Sequence, residues 1–153
     1  MNPRPTDAYL EIQVQTASPV KLRLLLVDGA MRFLSQAKEC AAKGDIQGAA
    51  EATSRTRDIL AEILSNVWSA EGYVAKQQRS LYGYMLRLAT IMSLRSEFEH
   101  ADSILKVLAE ERETWRLLAE KHASLSIERR ESMIAAPHIS HAGSMVRELS
   151  LEA

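Results

Sequence analysis

The chain has 153 residues, a quarter of them charged, and a formal net charge of -1. That length suits one domain with a substantial core, and the 19 Lys and Arg, scattered and matched by 20 Asp and Glu, exclude the basic footprint of a nucleic-acid binder. No apolar run approaches the length of a membrane span, and the opening MNPRPTDAY lacks the apolar centre of a secretory signal. A cytoplasmic protein without membrane insertion is expected.

Residues 1–7 form a Pro-bearing head that is expected to be mobile, and residues 8–15 a short helical strap. Ser18 then caps a helix whose first position is Pro19, where a missing N–H costs nothing. The apolar stripe of this helix is expected to comprise Leu22, Leu25, Leu26, Gly29, Ala30, Phe33 and Ala37. The helix should end at Lys43, with Gly44 as a left-handed cap. Asp45 caps a second helix running to about Val67, with Ile46, Ala49, Thr53, Leu60, Ile63, Leu64 and Val67 inward. Gly72 marks a break before a third helix to about Leu94, carrying Val74, Leu81, Tyr82, Met85, Leu88 and Met92. Ser96 and Glu99 have the spacing of a capping box for a fourth, with Phe98, Ala101, Leu105, Leu108 and Trp115 on its stripe. Helices of this length with short connections predict an all-α fold, an antiparallel four-helix bundle over residues 8–123. Beyond Ser124 the pattern weakens, and APHISHAG breaks any helix, so 124–153 reads as an appended tail.

Few constellations suggest chemistry. Glu97 and His100 make a Glu-x-x-His step of the kind found in di-metal bundles, but that site needs a second step and two more inward glutamates. Neither is present, and His122, His138 and His141 have no partners at matching spacing. A surface pair is expected, with no metal. Arg55, Arg57, Arg87 and Glu62 read as solvated helix faces rather than a polar pocket. The lone Cys40 makes no internal disulfide and reads as a small helix residue. No nucleophile motif or phosphate-cradling glycine loop occurs, so an enzyme is the weakest of the expectations. Tyr82, Tyr84 and Met85, within one turn, suit either a core stripe or an adaptable helix-binding surface, and spacing does not separate the two.

Ordered fragments of the chain resemble a known family, the FliS flagellar secretion chaperones. They are Ala8-Tyr9, Gln13-Val14, Thr16-Ala17-Ser18-Pro19, the helix with Leu22 and Leu25, Asp28-Gly29-Ala30, Phe33-Leu34 and Gly44-Asp45. LYGYM at 81–85 is similar to the family's Leu-Tyr-x-Tyr-Met, and ERETW at 111–115 to its Leu-Arg-x-x-Trp. The resemblance covers about residues 8–120. There are departures: Val27 stands where the family has tyrosine before Asp-Gly, Gly72-Tyr73 where it often has Gly-Gly, and Gln77-Gln78 where it has Asn-Leu.

The resemblance implies a cytoplasmic chaperone that binds the C-terminal segment of flagellin, prevents its premature polymerisation and delivers it to a component of the flagellar type III export gate. It implies no catalysis and no cofactor. Carried over onto this chain, the partner-binding surface comprises Tyr9, Gln13, Val14, Thr16, Pro19, Leu22 and Leu25, with Leu81, Tyr82, Met85, Ile104 and Leu108 from the later helices. Trp115 reads more as core. The alternative is a helical-bundle adaptor for a different disordered or helical partner. Two further points stay open: whether Gly29 serves packing inside the bundle or the partner, and whether Met145, Val146, Leu149 and Leu151 of the tail plug an empty groove.

Overall fold

The computed structural model describes Asp7 and residues 18–135. The strap, with Tyr9, Gln13 and Val14, lies outside the described residues, as do Thr16 after it and the apolar tail segment. The chain divides into two compact units, Met1–Leu118 and Ala119–Ala153. Four α-helices make up the described part: α1, Pro19–Ala42; α2, Ile46–Trp68; α3, Tyr73–Arg95; and α4, His100–Ala135. The fold is an all-α four-helix bundle, built from antiparallel neighbours joined by short connections.

Local chemistry accounts for most helix ends. The Ser18 hydroxyl accepts from Lys21 N at 3.3 Å ahead of Pro19. Gly44 takes the left-handed conformation (φ +78°), which favours a residue without Cβ. Asp45 Oδ1 then accepts from Gly48 N at 2.9 Å. At the far end of α2, the Arg79 guanidinium of α3 donates to the carbonyls of Ala70 (2.6 Å), Val67 (3.2 Å) and Trp68 (3.4 Å), gathering the acceptors at the helix C-terminus. The expected Ser96–Glu99 capping box does not form. Ser96 instead terminates α3 in the left-handed region (φ +55°), which denies it the extended backbone of an N-cap, and α4 begins only at His100. α4 also continues past Ser124 to Ala135.

The core stripe of α1 is Val27, Ala30, Leu34 and Ala37, rotated from the expected one, with Leu22, Leu25, Leu26 and Phe33 half-buried beside it. Val27 is fully buried, so the position where the family has tyrosine belongs to the interior. Ile46 and Val74, expected inward, are exposed, because burial runs from Ala49 on α2 and from Ala75 on α3. Leu60 and Ile63 of α2, Tyr82, Met85, Ala89 and Met92 of α3, and Ala101, Ile104 and Leu108 of α4 complete the core.

Backbone spacing follows side-chain size. α1 and α2, and α2 and α3, approach closely. α1 buries the small residues Gly29, Ala30 and Ala37, and α2 buries Ala49, Ala52, Thr53 and Thr56. Each threonine satisfies its hydroxyl on its own helix, Thr53 on Ala49 O (2.8 Å) and Thr56 on Ala52 O (3.1 Å). A Cβ on Gly29 would stand 3.4 Å from Ile59 Cδ1, so this glycine packs against α2 within the bundle. α4 is held instead by long side chains and by two ion pairs to α1, Lys38–Asp102 and Asp28–Arg112. Ten residues forward along α1 match ten back along α4, the register of antiparallel helices.

Among the described residues of the second unit, Leu125, Ile127, Met133 and Ile134 are exposed.

Candidate functional site

Two hollows lie at the end of the bundle where α1 and α3 begin and α2 ends. The larger, of about 640 Å³, is lined by Tyr73, Lys76, Gln77, Gln78, Ser80, Leu81 and Tyr84 of α3 and by Glu111 of α4. The smaller, of about 320 Å³, is lined by Pro19, Leu22, Arg23 and Leu26 of α1 and by Asn66 of α2. Exposed aromatic surface adjoins them. Tyr73 is 74% exposed and Trp68 69%. The Tyr73 hydroxyl accepts from Gln77 Nε2 at 2.8 Å, which steadies the ring at the rim.

A polar layer separates these hollows from the apolar core. Arg23 continues the α1 stripe of 27, 30, 34 and 37 one turn upstream. Gln78 stands on the α3 stripe between Ala75 and Tyr82, and Glu111 on the α4 stripe after Ile104 and Leu108. Three core-facing positions therefore carry polar residues, and they meet. Arg23 Nη1 donates to Gln78 Oε1 at 3.2 Å, and Gln78 Nε2 donates to Glu111 Oε1 at 3.2 Å. The other carboxylate oxygen of Glu111 accepts from the Tyr82 hydroxyl at 3.0 Å and from Trp115 Nε1 at 3.1 Å. The Arg23 guanidinium lies 4.7 Å from the centroid of the Trp115 ring and 5.4 Å from that of Tyr82, within cation–π range of both. Burial, and then the charge and hydrogen bond of Glu111, push the Tyr82 phenol well above its ordinary range, with Arg23 opposing.

The residues read from the sequence separate into three groups. Pro19, Leu22 and Leu81 line the hollows, and Leu25 is half-buried on α1 beside them. Tyr82, Met85, Ile104 and Leu108 have no accessible surface: they face the core, behind the hollows rather than in them. Tyr9, Gln13, Val14 and Thr16 fall outside the described residues. The sequence reading missed Arg23, Gln78 and Glu111. The signal was a polar residue recurring at the core spacing of three or four on otherwise apolar stripes.

Glu97 and His100 stand 4.0 Å apart at the head of α4, and no group of three metal-ligating side chains converges among the described residues. Among those residues no helix is long and apolar enough to cross a membrane. The arrangement offers apolar and aromatic surface with a few fixed hydrogen-bonding groups, which suits capture of a polypeptide.

Comparison with known proteins leads to the same class of activity. The sequence model of the family Flagellar protein FliS matches residues 1–122. The chain is 29% identical over 120 residues to the flagellar secretion chaperone FliS of Salmonella typhimurium, covering 74% of this chain and 89% of that one. It is 27% identical over 111 residues to the FliS of Campylobacter jejuni (72% and 87%), and 24% over 118 residues to that of Vibrio cholerae (76% and 87%). With a match over residues 1–122, the chain belongs to the FliS family of flagellar secretion chaperones, which are not enzymes.

Proposed function

We propose that this chaperone binds the C-terminal segment of flagellin in the cytoplasm, keeps it from polymerising early and presents it to the flagellar type III export gate. The observation that carries the reading is the pair of adjoining hollows with apolar and aromatic walls at one end of the bundle. An unfolded export substrate exposes apolar side chains that self-associate, and a chaperone must offer them an alternative surface. Ordering such a segment costs several kcal/mol, so an extended contact is needed to offset it. Pro19, Leu22, Leu25 and Leu81 supply contact surface, joined by Tyr73 and Tyr84. Tyr9, Gln13, Val14 and Thr16, outside the described residues, join the contact set through the family resemblance alone, and Tyr82, Met85, Ile104 and Leu108 hold α3 and α4 in place behind the hollows. No cofactor takes part.

The test is calorimetric titration of the full chain with a peptide of about the last forty residues of the same organism's flagellin, where single-site binding with a large negative heat-capacity change is expected. Absence of binding by a folded, helical protein would reject flagellin as the client and direct the search to other polypeptide partners.

A further inference from the structure

We propose that Glu111 is a specificity residue of the groove, reading a Lys or Arg side chain of the docked segment. The proposal rests on the flagellin reading above and adds to it a chemical requirement on the client. Glu111 occupies the first position of the Leu-Arg-x-x-Trp pattern, where leucine would serve packing alone, and the structure uses the carboxylate. Only 8% of the residue is exposed, and that part lies in the wall of the larger hollow.

Its hydrogen bonds are unevenly distributed. Oε2 accepts two bonds, from Tyr82 and Trp115, whereas Oε1 accepts one, from Gln78. All three donors are neutral. No ion pair joins Glu111 to any cation of the described residues, and the guanidinium of Arg23 is engaged with Gln78 and the two rings. A buried carboxylate held only by neutral donors is costly to desolvate and gains strongly from a cation brought into the same low-dielectric wall. The free acceptor capacity of Oε1 is where that cation docks, while Tyr82 and Trp115 fix the carboxylate by its other oxygen. The apolar lining from Leu81 and Tyr84 accommodates the methylene stem of the same side chain.

The experiment is a coupled titration. The probes are the flagellin C-terminal peptide and variants in which each Lys or Arg is replaced singly by Met. The proteins are the unaltered full chain and Glu111→Gln, whose helicity and thermal unfolding are checked first. One peptide substitution is expected to weaken binding to the unaltered chain about tenfold, Glu111→Gln to weaken the parent peptide by a similar factor, and the two together to weaken it little further. Equal losses on every peptide would assign Glu111 a structural role and overturn the proposal. Unchanged binding by Glu111→Gln would overturn it while leaving flagellin as client. Should Glu111→Gln fail to fold, the scan on the unaltered chain decides, since the absence of any sensitive basic position rejects a cation partner. No binding of the parent peptide to the unaltered chain would overturn the client reading, and this proposal with it.

Discussion

Arg112 Nε donates to Asp28 Oδ1 from α4 to α1, joining residues 84 apart in the sequence. Both belong to fragments that carried the family resemblance, Asp28-Gly29-Ala30 and ERETW. A second such meeting joins Tyr82 of LYGYM to Glu111 of ERETW. Much of what makes those fragments recognisable is thus the joinery between α4 and the other helices.

The Asp28–Arg112 pair is half-exposed on both sides, so screening and side-chain entropy limit its value. Arg112→Ala is expected to cost no more than about 1 kcal/mol in urea unfolding, with the difference shrinking at high salt. A loss several times larger would show that the pair acts as part of a wider network.

Tyr82 links stability to alkaline pH. Its phenol is held neutral in the fold, whereas in the unfolded chain it ionises near its ordinary value of 10.0. The unfolded state therefore binds fewer protons above that pH. The contribution is fully present below pH 10.0 and is lost as pH rises from there, at up to about 1.4 kcal/mol per pH unit. Tyr82→Phe should lower stability at neutral pH by about 1–3 kcal/mol, because Glu111 loses a donor, and should remove that part of the alkaline decline. Thermal unfolding from pH 8 to pH 11 checks both, and parallel curves for the two proteins would contradict the second.

Two glycines should respond oppositely to alanine. A Cβ on Gly48 would lie 2.2 Å from Asp45 Oδ2 and 2.8 Å from its Cγ, displacing the carboxylate that caps α2. Gly48→Ala is expected to cost about 1 kcal/mol through the lost cap, less whatever alanine's helix propensity returns. At Gly29 the nearest atom is the terminal methyl of Ile59 at 3.4 Å, a contact a flexible side chain absorbs. Gly29→Ala should be neutral or stabilising by up to about 1 kcal/mol. Denaturant midpoints of both variants settle the signs.

The groove and the core behind it are separable by mutation. Leu81→Asp, at a half-buried lining position, is expected to leave a folded protein that binds the flagellin peptide about tenfold or more weakly. Met85→Asp, one helical turn on, places an unpaired charge in the sealed core and should cost more than about 3 kcal/mol, losing the fold itself. Circular dichroism with peptide titration distinguishes the two outcomes.

How far the sequence disclosed this molecule depended on whether a signal was local. Ser18-Pro19, Gly44-Asp45 and Gly72 announce their helix boundaries because caps and left-handed turns are chemistry among adjacent residues. Ser96 misleads for the same reason: one serine suits an N-cap and, less commonly, a left-handed terminus, and only the path of the chain decides. The rotation of the α1 stripe was hard to read because Leu22, Leu24, Leu25, Leu26 and Val27 run around the helix, and Arg23, the polar residue among them, stands on the core stripe itself. Pro19, Leu22 and Leu81, carried over from the resemblance, are lining residues of the hollows. Arg23, Gln78 and Glu111 were hidden because each looks like an ordinary surface residue until three helices bring them into one layer.

Small residues on the α1–α2 seam set a fixed gauge between those backbones, whereas the joint with α4 is filled by interlocking bulk. Fixed gauges tolerate no widening: a larger side chain at Ala30, Ala37, Ala49 or Ala52 has nowhere to go. A bulk-filled joint can trade volume between partners such as Ile104, Leu108, Met85 and Met92. Randomised libraries of apolar residues should therefore yield far more folded members along α4 than along the first seam. The helix that carries Glu111 is then also the one most open to remodelling for a new client.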